Sequence, residues 1–322
     1  MRLGLFLNFE HGPQGGAEAS RHVYRDEIEL ALAAEAAGFE ELWVSEHHFS
    51  PFSQSASVLP ILAHLAGRTS QARIGPAAIL MPLHDPVRVA EDLATIDLLS
   101  NGRLNLGLAR GGPFPAQFKH FHVTREEAGE RVVEATDFLL ALLTKEYVGF
   151  DGRWFKSEGL TTFPRPQQAV FPLWMASGTK ETVIQSAKRG FGLMAGQAWQ
   201  ISTMRGLLET YASVTDGGIP DLVVLRTACI ADSDAEAHAI ALPGIERFIE
   251  SMRPQFGPNP PKGFTAEAFL AQAIIGSPET CRAKIQELCT AVPIGSLVLK
   301  PACLDQKMRL ECVERFGQEV LA

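Results

Sequence analysis

Glu46, His47 and His48 stand side by side in the run WVSEHHF at 43–49, and a carboxylate beside two imidazoles can move protons or bind a metal. Imidazole ordinarily titrates near neutrality, so it can serve there as acid or as base. Adjacent side chains on an extended segment point to opposite sides, so only one of His47 and His48 can face a shared interior. A metal site would need more ligands, and the other histidines show no HExxH or comparable spacing. Two structural histidines with satisfied hydrogen bonds are the plainer alternative.

Two glycine-bearing segments could bind an anion. In GLARGG at 107–112, glycines let a ligand approach the backbone while the guanidinium of Arg110, beside Gly111, can reach a phosphate. In ASGTKET at 176–182, Gly178 and the hydroxyls of Ser177, Thr179 and Thr182 precede a helical pattern, where free backbone N–H groups favour negative charge. Simple capping of that helix by Ser177 or Thr179 accounts for the same residues.

The elements that must position these groups follow from periodicity. Apolar runs of strand length fall at 2–7, 41–44, 72–80, 104–109, 172–177, 192–196, 222–230 and 295–300, eight in all. Helical patterns lie between them at 24–37, 86–99, 125–143, 180–188 and 278–289. Such alternation predicts a parallel sheet with helices outside, and eight strands is the number of a (β/α)8 barrel, whose chemistry sits at the C-terminal ends of its strands. All three candidate segments fall at those ends. VGFDGRWF at 148–155 reads as a small hairpin turning at Asp151-Gly152. From 254 to 273, with four prolines in its first eight residues, the chain leaves the pattern for longer than a barrel loop usually does. It reads either as a cover over the C-terminal mouth or as a loop packed on a neighbour. The expected organisation is one domain over residues 1–322 with an insertion at about 251–275.

Composition narrows the function classes. A net charge of −8 without a Lys/Arg cluster argues against nucleic acid, and no apolar run approaches membrane-spanning length. Five cysteines with no CxxC spacing, set in apolar patterns, read as reduced core thiols. With no signal-peptide pattern at the start of the chain, they lead to an expectation of a cytoplasmic protein.

Taken in order along the chain, WVSEHHF at 43–49, the long run at 74–111, FDGRWF at 150–155 and GSPET at 276–280 resemble the bacterial-luciferase-like family of flavin-dependent monooxygenases over nearly the whole sequence. The resemblance implies a TIM barrel binding reduced FMN, supplied by a separate flavin reductase, which reacts with O2 to a flavin C4a-(hydro)peroxide that oxygenates a small organic substrate. It implies His47 as the active-site acid/base or hydrogen-bond donor, with Glu46 beside it. Ala77-Ala78 would be a cis peptide under the flavin ring, and Trp199 would flank that ring. Arg110, Thr179 and Thr182 would hold the phosphate, which tips the ASGTKET segment from helix cap to anion site, with Arg131 as a second arginine. A homodimer paired through helices near the second and third strands is implied too. Two departures, Ala109 in place of a cysteine and Gly178 in place of a glutamate, argue against light emission. F420-dependent hydride transfer and a flavin-binding protein without catalysis are the alternatives; no GxGxxG fingerprint follows a strand, in keeping with NAD(P)H being used by a partner.

Overall fold

Short segments that are apolar on both faces can be satisfied only inside a sheet covered on both sides, and this chain has eight such positions. The computed structural model describes residues 1–10, 16–50, 52–258, 260–261 and 263–320. Its strands are β1 (Arg2–Leu7), β2 (Glu41–Val44), β3 (Arg73–Pro76), β4 (Ile79–Leu80), β5 (Leu106–Ala109), β6 (Val148–Asp151), β7 (Lys156–Leu160), β8 (Leu173–Ala176), β9 (Gly192–Ala195), β10 (Leu222–Ile230), β11 (Ile274–Gly276) and β12 (Ser296–Pro301). Between them run α1 (Ala17–Ala36), α2 (Val58–Ala66), α3 (Pro86–Leu99), α4 (Pro115–His120), α5 (Arg125–Thr144), α6 (Lys180–Arg189), α7 (Ile201–Ala212), α8 (Asp234–Met252), α9 (Ala266–Gln272), α10 (Pro278–Ala291) and α11 (Gln306–Arg315).

The sheet runs β3-β2-β1-β12-β10-β9-β8-β5-β4, every neighbouring pair parallel. β3 and β4 are two halves of the single strand expected at 72–80, divided at Ala77-Ala78, which is a cis peptide. A bridge from Ile74 of β3 to Leu104, just before β5, brings the sheet round on itself and gives the expected barrel. Inside it Trp43 and Trp174 meet edge to face at 5.4 Å. Gly75 and Gly192 make room for them: a Cβ at either would lie 3.0 Å from the Trp43 ring or 2.2 Å from that of Trp174.

The outer elements follow local chemistry. Thr124 and Glu127 form a capping box that starts α5. β6 and β7 form the expected hairpin, extended to Leu160. Glu134 of α5 accepts the N–H groups of Arg153, Trp154 and Phe155 at its turn. The stretch after α8, of which residues 259 and 262 lie outside the described residues, holds α9 and returns as β11 alongside β10. Phe256, Phe264 and Phe269 join it to Phe248 of α8, and Phe256 stacks on Phe114 at 5.3 Å. It therefore packs over the strand ends of its own barrel. No helix among the described residues is long and apolar enough to cross a membrane. The cysteines are unpaired, as expected, four buried and Cys289 partly exposed.

Candidate active site

The chain leaves β2 through Ser45 into the Glu-His-His run, and alternation separates its members. Glu46, 2% exposed, turns with His48: its Oε1 accepts from His48 Nε2 and from His84 Nε2, each at 2.8 Å, and its Oε2 accepts from the Leu80 N–H at 3.1 Å. Burial alone would disfavour its charge, but the bonds from His48 and His84 outweigh that and hold the carboxyl below its ordinary range. His84 is raised, since the pairing with Glu46 overcomes its own burial. Sequence spacing does not reveal His84, which lies 38 residues from its partner. These three ligand atoms lie within 4.8 Å of one another, a spacing that a metal ion would also accept.

His47 goes the other way. It packs against Phe52, with ring centroids 4.7 Å apart, and against the edge of Phe114 at 5.7 Å. Although it keeps some accessible surface, desolvation by the surrounding rings pushes its pKa down to about 4, against the pull of Glu46. Glu46 therefore does not bond the His47 ring; its hydrogen bonds go to His48 and His84.

The loops carrying Arg110 and the ASGTKET segment start side by side because β5 and β8 are neighbours. Their register pairs Ala109 with Ala176, so Arg110 and Ser177 leave adjacent strand ends. Gly111 takes φ +103°, a conformation suited to glycine, and a Cβ there would lie 2.8 Å from Gln117 Nε2. The stem of Arg110 passes Gly129 of α5, and no ion pair among the described residues uses its guanidinium. Thr179 caps α6 at the Thr182 N–H, its hydroxyl lies 3.0 Å from that of Thr182, and Ser177 Oγ accepts from the Thr179 N–H. The cap and a cluster of hydroxyls at the helix N-terminus thus coexist. Arg131 stands on the side of α5 facing the hairpin, its guanidinium 5.3 Å from the Phe155 ring and its buried Nε without a hydrogen-bond partner among the described residues.

Between these two groups lies an apolar floor. Ala77, Ala176, Gly196, Leu225 and Val298 line a cavity of about 120 Å³ above Trp43. Trp199 stands at its rim against two glycines, for a Cβ on Gly178 would come within 2.9 Å of its ring and one on Gly196 within 3.2 Å. Arg226, which no local sequence motif singles out, holds this wall. Only 1% exposed, it donates to the carbonyls of Gly196, Gln197 and Trp199 at 2.8–3.2 Å. Desolvation lowers its pKa to about 10. Its single signal in the sequence is a charge inside an otherwise apolar strand.

A flat aromatic group would fit over the small side chains of the floor. An anion would fit Arg110 and the start of α6, whereas Arg131 lies against the Phe155 ring of the hairpin. The model of the family described as luciferase-like monooxygenase matches residues 1–292. The oxygenase component of a flavin-dependent trigonelline monooxygenase from Acinetobacter baylyi is 25% identical over 249 residues, covering 75% of this chain and 68% of that one. Among solved structures, the oxygenating constituent of 3,6-diketocamphane monooxygenase from Pseudomonas putida, in complex with FMN, superposes with a TM-score of 0.83 at 19% identity, covering 99% and 98% of the two chains. An F420-dependent secondary alcohol dehydrogenase shares the fold at a TM-score of 0.79 and 17% identity, covering 99% and 98%.

Proposed function

This chain belongs to the luciferase-like monooxygenase family, and from that premise we propose that it is the oxygenase of a two-component system, using reduced FMN and O2 on a small organic substrate. The observation that carries the reading is the β5–β8 register, which sets an uncompensated Arg110 beside the hydroxyl-rich start of α6. The phosphate of FMN would bind there, with Gly111 and Gly178 giving the backbone room, Thr179 and Thr182 donating, and Arg131 adding charge from the hairpin side. Ala77 and Ala78 would carry the ring and Trp199 would flank it. When bound, the reduced flavin supplies the electrons with which O2 is activated.

The chain's own residues do the rest. The aromatic wall of Phe52, Phe114 and Phe256 excludes water beside His47. His47, neutral near pH 7, can turn either its N–H or its unprotonated ring nitrogen toward the reacting oxygen, donating a hydrogen bond in the first case and taking up a proton in the second. Glu46 fixes His48, His84 and the Leu80 N–H, and so holds the floor strand in place. In this reading the protein is a cytoplasmic homodimer, a single domain per chain, served by a separate flavin reductase.

Fluorescence titration tests it. The wild type should bind FMN more tightly than riboflavin, and Arg110→Ala should weaken FMN by about 1.5–3 kcal/mol while leaving riboflavin nearly unchanged. Equal losses for both flavins would remove Arg110 from the phosphate site, and binding of F420 in preference to FMN would overturn the cofactor.

A further inference from the structure

A second cavity, of about 180 Å³, opens at the C-terminal ends of β1, β10 and β12 and is walled by α8 and α11. Its character differs from that of the apolar floor. Lys300, 9% exposed, stands 3.7 Å over the Phe248 ring and pairs with Glu10, which also accepts from Asn8 Nδ2 at 3.0 Å. Arg309 pairs with Glu27 deeper in the wall. Phe6 lines both cavities, so they adjoin at its ring.

The lining carries three cations, Lys300, Arg247 and Arg309, and three acids, Glu10, Asp26 and Glu27, but their pairing leaves donors over. An ammonium has three N–H donors, and Glu10 is the acceptor that Lys300 meets. Thr227, in register with Lys300 across β10 and β12, donates to Gln197 Oε1 at 2.9 Å, which turns the Gln197 amide so that its NH2 is the part left to donate. Each acidic side chain lining the cavity already has a cation: Lys300 for Glu10, Arg309 for Glu27 and Arg25 for Asp26. Arg247 lines it too and has no ion-pair partner among the described residues. Spare donors and an uncompensated cation around a partly enclosed space call for an anionic oxygen acceptor.

We infer that this cavity is the substrate subsite and that it takes the carboxylate of a small organic acid, held by Lys300 and Gln197 with Arg247 as counter-charge. The inference rests on the flavin reading above for what happens at the other end of the molecule. The body of the acid would pass Phe6 toward the floor at Ala77 and Ala176. Phe248 packs on Phe52, and Phe52 on His47, so the same aromatic wall bounds the acid head and the proposed reaction site.

Saturation-transfer NMR on the full chain, with butanoate, butanamide and butylammonium as probes of equal size, tests this without turnover. Butanoate should bind, butanamide about tenfold more weakly, and butylammonium not at all. Gln197→Met and Lys300→Met should each weaken butanoate about tenfold or more, Lys300→Arg should retain it, and FMN titrated in parallel should bind all three variants as it binds the wild type. If Lys300→Met fails to fold by circular dichroism, Gln197→Met and Lys300→Arg carry the comparison. Equal binding of butanoate and butylammonium, or butanoate binding indifferent to Gln197→Met, overturns the subsite. A wild type that binds FMN but not butanoate overturns the subsite and leaves the flavin reading standing; one that binds butanoate but not FMN does the reverse.

Discussion

Neutral imidazole, not imidazolium, is the form of His47 at physiological pH, because desolvation by Phe52 and Phe114 outweighs the pull of Glu46 and puts its pKa at about 4. His47→Gln should therefore leave FMN affinity within a few fold while product per reduced flavin falls at least about 10²-fold and H2O2 appears instead. Full coupling in that variant, or a larger loss in His48→Gln, would show that the wrong histidine carries the role. The same pKa has a stability consequence. The folded pKa lies below the ordinary 6.5, so the unfolded chain takes up the proton first and stability falls as pH drops through 6.5 toward 4. From pH 8 to pH 5 this contributes a loss of about 2 kcal/mol, which His47→Gln should abolish in urea titrations. His84 has the opposite sign: its raised pKa gives stability that is fully present below 6.5 and is lost as pH rises through the folded value. His84→Gln should accordingly lose most at low pH; a loss that grows toward pH 8 would contradict the pairing with Glu46.

At the level of elements, the β5–β8 register and the wall after β9 decide whether the site exists. Arg226→Met would strip the carbonyls of Gly196, Gln197 and Trp199 of a buried cationic donor, and by the usual scale of such bonds should cost about 2–4 kcal/mol in urea unfolding. Because those carbonyls belong to the segment carrying Trp199, the emission of Trp199 and FMN affinity should change with it; a loss of stability with both unchanged would confine Arg226 to packing. This residue also marks where the sequence stopped being informative. Repeats of two and of three to four residues show which segments become strands and helices, since β1, β2, β10, α3 and α5 fall within a residue of where periodicity puts them. Arg110 and Thr179 were legible because glycine, charge and hydroxyl cluster locally. Arg226, His84 and Gln197 take their meaning from partners 27 to 38 residues away, across neighbouring strands, and nothing local encodes such a contact. The break at Ala77-Ala78 comes from the resemblance alone; composition reads 72–80 as one strand.

For the whole molecule, the outer face of the barrel beside β2 bears on assembly. Helix α2 buries Val58, Ile61, Leu62 and Leu65 against the barrel and turns Pro60 and His64 outward, with Ala63 between. Against α1 it forms an open, mainly apolar groove of about 640 Å³, bordered by Tyr24, Ile28, Leu32, Pro60 and Ile61. Arg21, Arg25, Glu29 and Arg68 also border it, so an apolar strip framed by charge is open to a partner. A twofold arrangement is the commonest closed solution, since one patch then covers its own copy and leaves no open edge for further growth. Because α2 leads into β3, and β3 into the Ala77-Ala78 floor, a partner packed there would stiffen the floor without reaching the cavity mouth. We expect sedimentation equilibrium at micromolar concentration to give twice the chain mass of 35.0 kDa. Ala63→Arg, which places a long charged side chain on the small-residue part of the helix, should shift the population toward the single chain and leave circular dichroism unchanged. A wild type that sediments only at 35.0 kDa, or an Ala63→Arg variant that still pairs fully, would place the interface elsewhere or remove it.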